Sequence, residues 1–287
     1  MLSYIANMQI RGDRAVLDCD GVLVDFDRSF RKVAQDALGR VLQPIPEVYE
    51  LAQRYQLTKA ELDRVWAVMD DHPMGWKNMP VFEGAIEAAL QLKAQGLSLH
   101  LVTGIPEHLA ESRLLNLALH GLELDSIHCV GDGGSPKVEQ MKKIAPVMFV
   151  DDRLRLLHES MFVPYRVWVD LGHEQNGLQP CEEIIHVKDL RQWVRQWLTL
   201  TGKKPLPVEK IQPYEDWETE ALMVWEKKVH PLQQLLREKN QQDSTIVNLE
   251  ASKKMDLGLV KSKGSMYDTH VDRGLPRFAN TKGGFRP

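Results

Sequence analysis

Six short apolar runs recur in the first two hundred residues, and the segments between them are apolar at helical spacing. The runs are AVLDC (15–19), LSLHLVT (97–103), SIHCVG (126–131), PVMFVDD (146–152), YRVWVD (165–170) and IIHV (184–187). Strands that alternate with helices pair in parallel, because each helix carries the chain back to the same edge of the sheet. Four stretches supply helices. FEGAIEAALQLKAQG (82–96) stops on Gly96, and PEHLAESRLLNLALHG (106–121) opens with Pro106 and stops on Gly121. SPKVEQMKKIA (135–145) offers Ser135 as N-cap and Pro136 at the first helical position, and KDLRQWVRQWLTL (188–200) closes the series.

The alternation breaks once. From Asp20 to about residue 80 there is no strand pattern. A helical stretch (28–38), a loop with Pro44 and Pro46, and a second helical stretch fill the gap. The second stretch opens on Thr58 with Glu61 three residues on, the spacing of a capping box. An insertion directly after the first strand sits above that strand's carboxyl end, where open α/β sheets bind ligands. The expected fold is therefore α/β: a Rossmann-like parallel sheet over residues 1–200, with a small helical cap at about 24–80. Residues 201–239 read as a linker and an amphipathic helix, with Trp217, Leu222 and Trp225 toward one side. Residues 240–287 read as a basic, flexible C-terminal tail.

Composition narrows the function classes. The net charge of −4 conceals an acidic body and a basic end: residues 1–200 carry a net −7 and residues 201–287 a net +3. The tail mixes Arg and Lys with Tyr267, Phe278 and Phe285, a composition suited to nucleic-acid or protein contact as well as to a solvated tail. No apolar run approaches the roughly 20 residues of a membrane helix, which speaks against a membrane partner. Cys19, Cys129 and Cys181 form neither a disulfide framework nor a CxxC metal site. With no leader-like N-terminus, a cytoplasmic location is expected.

The chemistry collects at strand ends. Asp18 and Asp20 follow the first strand, Thr103 and Gly104 the second, Asp151 and Asp152 the fourth, and Lys137 opens the helix after the third. Parallel strands deliver their carboxyl ends to one edge, so these groups converge if the strands are neighbours. Crowded carboxylates suit a hard divalent cation such as Mg²⁺. Lysine, threonine and backbone N–H suit phosphate oxygens. A carboxylate facing phosphorus can act as a nucleophile.

These residues, in this order, resemble the four motifs of the haloacid dehalogenase superfamily: DCDGV (18–22), Thr103, Lys137 and the pair Asp151–Asp152. The resemblance covers about residues 10–195. It implies that Asp18 attacks phosphorus and binds Mg²⁺. It implies that Asp20 protonates the leaving oxygen, then activates water, and offers its carbonyl to the metal. Thr103 and Gly104 would hold phosphate oxygens, and Lys137 would bridge phosphate and Asp18. Asp152 would bind the metal directly, and Asp151 directly or through water. Halide-displacing members lack an aspartate at the position of Asp20, so its presence favours phosphoryl transfer to water. The cap with Phe26, Trp76 and Phe82 is similar to that of the cytosolic and mitochondrial 5′(3′)-deoxyribonucleotidases, where aromatics stack on the base.

Plainer readings stand beside these. The three aromatics also suit simple hinge packing. Lys142 and Lys143 share a helix with Lys137. Strand alternation points Cys19 away from both aspartates, as a buried small residue. The expected function is Mg²⁺-dependent hydrolysis of a small phosphomonoester, with nucleoside monophosphates as first candidates. The alternatives are a polynucleotide-end phosphatase and a non-catalytic binding or scaffold protein working through its C-terminal region.

Overall fold

Six strands, each overlapping one of the apolar runs, form a single sheet: β1 (Arg14–Leu17), β2 (Ser98–Thr103), β3 (Ser126–Cys129), β4 (Met148–Asp151), β5 (Tyr165–Val169) and β6 (Ile184–Val187). The computed structural model describes residues 13–208 apart from Pro73, Asp132 and Gly133. The helix expected after the linker and the basic tail lie outside the described residues. Strand order is β3-β2-β1-β4-β5-β6, and every neighbouring pair is parallel. The chain winds outward from β1 through β2 to β3, returns to place β4 beside β1, and winds outward again. Strand order thus reverses at β1, and a crevice opens where the carboxyl ends of β1, β2 and β4 meet.

Among the described residues, eight helices flank or cap this sheet: α1 (Phe26–Leu38), α2 (Leu51–Arg54), α3 (Lys59–Met69), α4 (Ala85–Ala94), α5 (Ala110–Leu119), α6 (Ser135–Ile144), α7 (Leu154–Glu159) and α8 (Leu190–Leu200). Strand alternation divides the core into two layers. Ala15, Leu17, Leu99, Leu101, Met148 and Val150 pack with Leu92 of α4 and Trp193 of α8. Val16, Val102, Phe149 and Trp168 pack with Val138 and Met141 of α6 and Leu157 of α7. Leu17 and Phe149 are fully buried, each removing apolar surface from water at roughly 1.5–3 kcal/mol.

The excursion after β1 is fastened at both ends. Val24 bridges antiparallel to Val81. The Asp25 amide donates to the Pro80 carbonyl (2.7 Å), and the Phe82 amide donates to the Leu23 carbonyl (2.9 Å). Between them, α1 and α3 pack around Phe30, whose ring lies 5.7 Å from Tyr55 and 5.3 Å from Trp66. Arg54, nearly buried, ties the proline-containing loop to α1. It bonds Asp27 at 2.8 Å and donates to the carbonyls of Pro46 (2.7 Å) and Val48 (3.0 Å). The Thr58–Glu61 capping box at the start of α3 is formed in both directions.

Three local expectations are corrected. The N-cap of α6 is Gly134, so Ser135 and Pro136 are its first and second residues. Proline is tolerated at either position, because the first four amides of a helix have no intrahelical acceptor. Pro106 is extended and precedes a 3₁₀ turn (Glu107–Leu109) instead of opening the α-helix. Finally, α2 and α7 span only four and six residues, too short to register as a helical repeat. No helix among the described residues is long and apolar enough to cross a membrane.

Candidate active site

Strand parity aims the acidic groups. Asp18 continues the face of Val16, and Asp151 continues the face of Phe149, the layer that α6 covers. Both carboxylates reach the first turn of α6, where the Lys137 ammonium lies 2.7 Å from Asp18 Oδ2 and 2.7 Å from Asp151 Oδ2. Lys137 is 1% exposed. Burial alone would lower its pKa, but the two carboxylates more than reverse this and hold it charged. The remaining oxygens of the pair are also engaged. Asp18 Oδ1 accepts from the Cys19 amide (2.7 Å) and Asp151 Oδ1 from the Arg153 amide (2.8 Å).

Asp152 completes the cluster. Its backbone carbonyl accepts from Trp168 Nε1 (3.1 Å) and Gln175 Nε2 (3.2 Å), which fixes the residue while its side chain lines the cavity. One oxygen from each of Asp18, Asp151 and Asp152 lies within 4.8 Å of the others, and all three residues are buried. Burial raises the Asp152 carboxyl well above the ordinary range, and the charges of Asp151 and Asp18 push it the same way. Burial also raises Asp151, against the pull of Lys137. The chain reaches this point only because residue 21 is glycine. It has φ +82°, and a Cβ there would stand 2.7 Å from Asp152 Oδ2.

Thr103 ends β2 on the neighbouring side. It is fully buried, and its hydroxyl has no partner among the described residues. Gly104 follows it at the exposed mouth. Asp20 stands across the turn from Asp18, with Arg113 Nη2 2.6 Å from its Oδ1. Asp18, Asp20, Gly104, Lys137 and Asp152 all line one cavity of 760 Å³ that runs outward under the cap. Cys19 is buried in the apolar core, and burial raises its thiol pKa, so it takes no part.

Phe26, Trp76 and Phe82 line the same cavity. Phe26 lies 5.9 Å from Trp76, and Trp66 lies 6.2 Å from Trp76 with the two ring planes only 6° apart. Trp66 escaped the sequence reading, although it sits in the apolar period of α3. The opposite wall was not read from sequence either: Arg153 lies 5.7 Å over the Tyr49 ring, and Tyr49 meets His173 edge-on. Arg113 did have a signal, since it falls between Leu109 and Leu117 at four-residue spacing, on the buried stripe of its helix. His72, in the cap loop, accepts the Met74 amide at Nδ1 and meets Asp36 at 3.0 Å.

No protein-family model and no curated protein matches the chain. Solved structures of haloacid dehalogenase-like hydrolases are similar to it. One, a predicted phosphoglycolate phosphatase from Haemophilus somnus, has 16% identity and a TM-score of 0.46, covering 66% of this chain and all of its own. A haloacid dehalogenase-like family hydrolase from Xanthomonas campestris has 13% identity and a TM-score of 0.45, covering 67% of this chain and 98% of its own. The L-2-haloacid dehalogenase of Xanthobacter autotrophicus has 10% identity and a TM-score of 0.42, covering 65% and 98%.

Proposed function

We propose that this chain is a Mg²⁺-dependent phosphomonoester hydrolase of the haloacid dehalogenase-like kind, working through an aspartyl-phosphate on Asp18, with nucleoside monophosphates as its substrate class. The observation that carries this reading is a cluster of three buried carboxylates with a lysine bridging two of them, opening on a cavity that Asp18, Asp20, Lys137 and Asp152 line, next to a strand end whose buried Thr103 hydroxyl has no partner among the described residues. That set is matched to a hard cation and a phosphate together, which supports phosphoryl chemistry over a passive binding surface.

The donor set fits Mg²⁺, since every candidate ligand is a carboxylate or carbonyl oxygen. Asp18 and Asp152 would hold it, with the Asp20 carbonyl. Asp151, which like Asp18 meets Lys137 through one oxygen and a backbone amide through the other, would hold it directly or through water. Bound there, the ion offsets the repulsion between the phosphate dianion and the carboxylates.

The protein groups then divide the work. Thr103, the Gly104 amide and Lys137 hold the phosphate oxygens, as preorganised donors in a site partly closed to water. Asp18 attacks phosphorus, and the bond from phosphorus to the ester oxygen breaks. Asp20 gives that oxygen its proton. A water then attacks the phosphoryl group, returning its proton to Asp20 and freeing phosphate and Asp18.

The test is phosphate release from a panel of 5′- and 3′-nucleotides, sugar phosphates and a 3′-phosphorylated oligonucleotide, with and without Mg²⁺. Metal-dependent turnover of nucleotides is the expected result. Turnover of the oligonucleotide alone transfers the assignment to nucleic-acid ends, and no turnover with the fold intact removes the enzyme reading.

The nucleotide part rests on the aromatic wall. Base–aromatic stacking contributes about 1–3 kcal/mol per base. Trp66→Ala is therefore expected to raise KM for a nucleotide by about 5- to 150-fold while leaving KM for p-nitrophenyl phosphate within about threefold. Equal effects on both would reduce the ring cluster to packing.

A further inference from the structure

Arg113 is completely buried on the inward face of α5. A guanidinium keeps its proton in any protein environment, so a full charge has been carried into the interior and must be matched there. Among the described residues a single carboxylate meets it at ion-pair distance, Oδ1 of Asp20 at 2.6 Å. Of the rest of the group, Nε has no partner among the described residues, and Nη1 and the guanidinium plane meet the segment through which the chain returns from the cap. Nη1 lies 3.2 Å from Met79 Sδ, and the guanidinium carbon lies 5.5 Å from the centre of the Trp76 ring. Asn116, one turn further along α5, donates to the Met79 carbonyl at 2.9 Å. Asp20 Oδ2 accepts no hydrogen bond among the described residues, and Asp20 lines the cavity. One oxygen is held from behind and the other is left to the substrate.

From this we infer that Arg113 is a positioning residue: it fixes the carboxylate of Asp20 so that Oδ2 faces the leaving oxygen, and it ties that placement to the cap-return segment at Trp76 and Met79. The inference rests on the role of Asp20 in the proposed reaction. A short side chain with two free torsions would otherwise sample several rotamers. Displacement of an acid by about 1 Å from its productive position costs on the order of a hundredfold in rate. Arg113 never touches the reacting atoms, so its effect must pass through Asp20.

That requirement sets the experiment. Wild type, Arg113→Met, Asp20→Asn and the double variant are compared as full-length proteins on p-nitrophenyl phosphate with Mg²⁺, after thermal melts establish folding. Arg113→Met is expected to lower kcat about a hundredfold with KM within about twofold. In the Asp20→Asn background the same change is expected to have no further effect on kcat, because the group it positions is gone. If Arg113→Met does not fold, Arg113→Lys runs the same cycle. It keeps the charge but loses the planar fork, with an expected loss of about tenfold in kcat. Wild-type kcat in the folded variant, or additive losses in the double variant, overturns the inference while leaving the phosphatase reading in place. A wild type inert on every ester overturns both.

Discussion

Asp18→Asn is expected to lower Mg²⁺-dependent phosphate release by at least about a thousandfold, roughly 4 kcal/mol of barrier, while the protein stays folded. An amide oxygen is a far weaker nucleophile than a carboxylate, and an acyl phosphate cannot form on it. The fold survives because the substitution is isosteric and most of the local bonding remains. The amide oxygen can still accept from the Cys19 N–H, and Lys137 keeps its 2.7 Å contact with Asp151. Removing one of three clustered carboxylates also relieves repulsion in the metal-free protein. The measurement is steady-state release with a matched melting curve. Turnover near wild type would strip Asp18 of its role and leave Asp20, on the other side of the turn, as the candidate nucleophile. Collapse of the melting transition would mean that the Asp18–Lys137 pair serves stability first, and the activity assay would then have to be repeated with a variant that keeps the charge.

What could be read in the sequence follows the range of the interactions involved. Strand positions were legible because burial on both faces forces a short uninterrupted apolar run, as in Val147–Val150, and its brevity between turn residues separates it from a buried helix. The convergence of Asp18, Thr103 and Asp151 follows from topology, since β1, β2 and β4 are neighbours and parallel strands end at one edge. The resemblance implied that Lys137 reaches Asp18, but its second partner, Asp151, was not legible. That Lys137 bridges Asp18 and Asp151 and leaves Asp152 toward the cavity depends on where α6 starts relative to the strand ends. No spacing in the chain encodes that position. Arg113 shows a middle case. Its place on the apolar stripe of α5 marks it as anomalous, but Asp20 lies 93 residues away in sequence. The opposite wall of Tyr49, Arg153 and His173 joins a loop of the cap to two loops of the sheet, and no local pattern announces such a meeting.

The buried carboxylate cluster of the metal-free protein is expected to contribute progressively less stability as the pH rises from about 4 to about 7, and Mg²⁺ is expected to restore it. His100, His120 and His173, whose pKa values burial lowers, contribute in the opposite sense. Burial raises Asp151 from 3.8 to about 6 and lifts Asp152 well above 3.8. The folded state therefore binds protons more tightly than the unfolded chain between these values. More protons bound in the native state make the slope of stability against pH negative. The contribution is complete below about pH 4 and is lost as pH climbs through the folded value. For one carboxyl shifted by about two units this is on the order of 3 kcal/mol, or about 5–11 °C in Tm. Other carboxyls work in the opposite sense at lower pH. Hydrogen bonds hold Glu61 and Asp36 below the usual range, so their contributions fade as pH falls. The comparison that isolates the cluster is therefore wild type against Asp152→Asn, melted in chelator and in Mg²⁺ across that range. Wild type should show the larger fall in chelator, and Mg²⁺ should raise its Tm near neutrality but not near pH 4, where the carboxyls are protonated and cannot bind a cation. Asp152→Asn should show a shallower fall and little response to Mg²⁺. Coincident curves for the two proteins, with no effect of Mg²⁺ at any pH, would mean that the three carboxylates are held by Lys137 and the backbone amides alone. The phosphate chemistry would then have to proceed without the cation that their crowding implies.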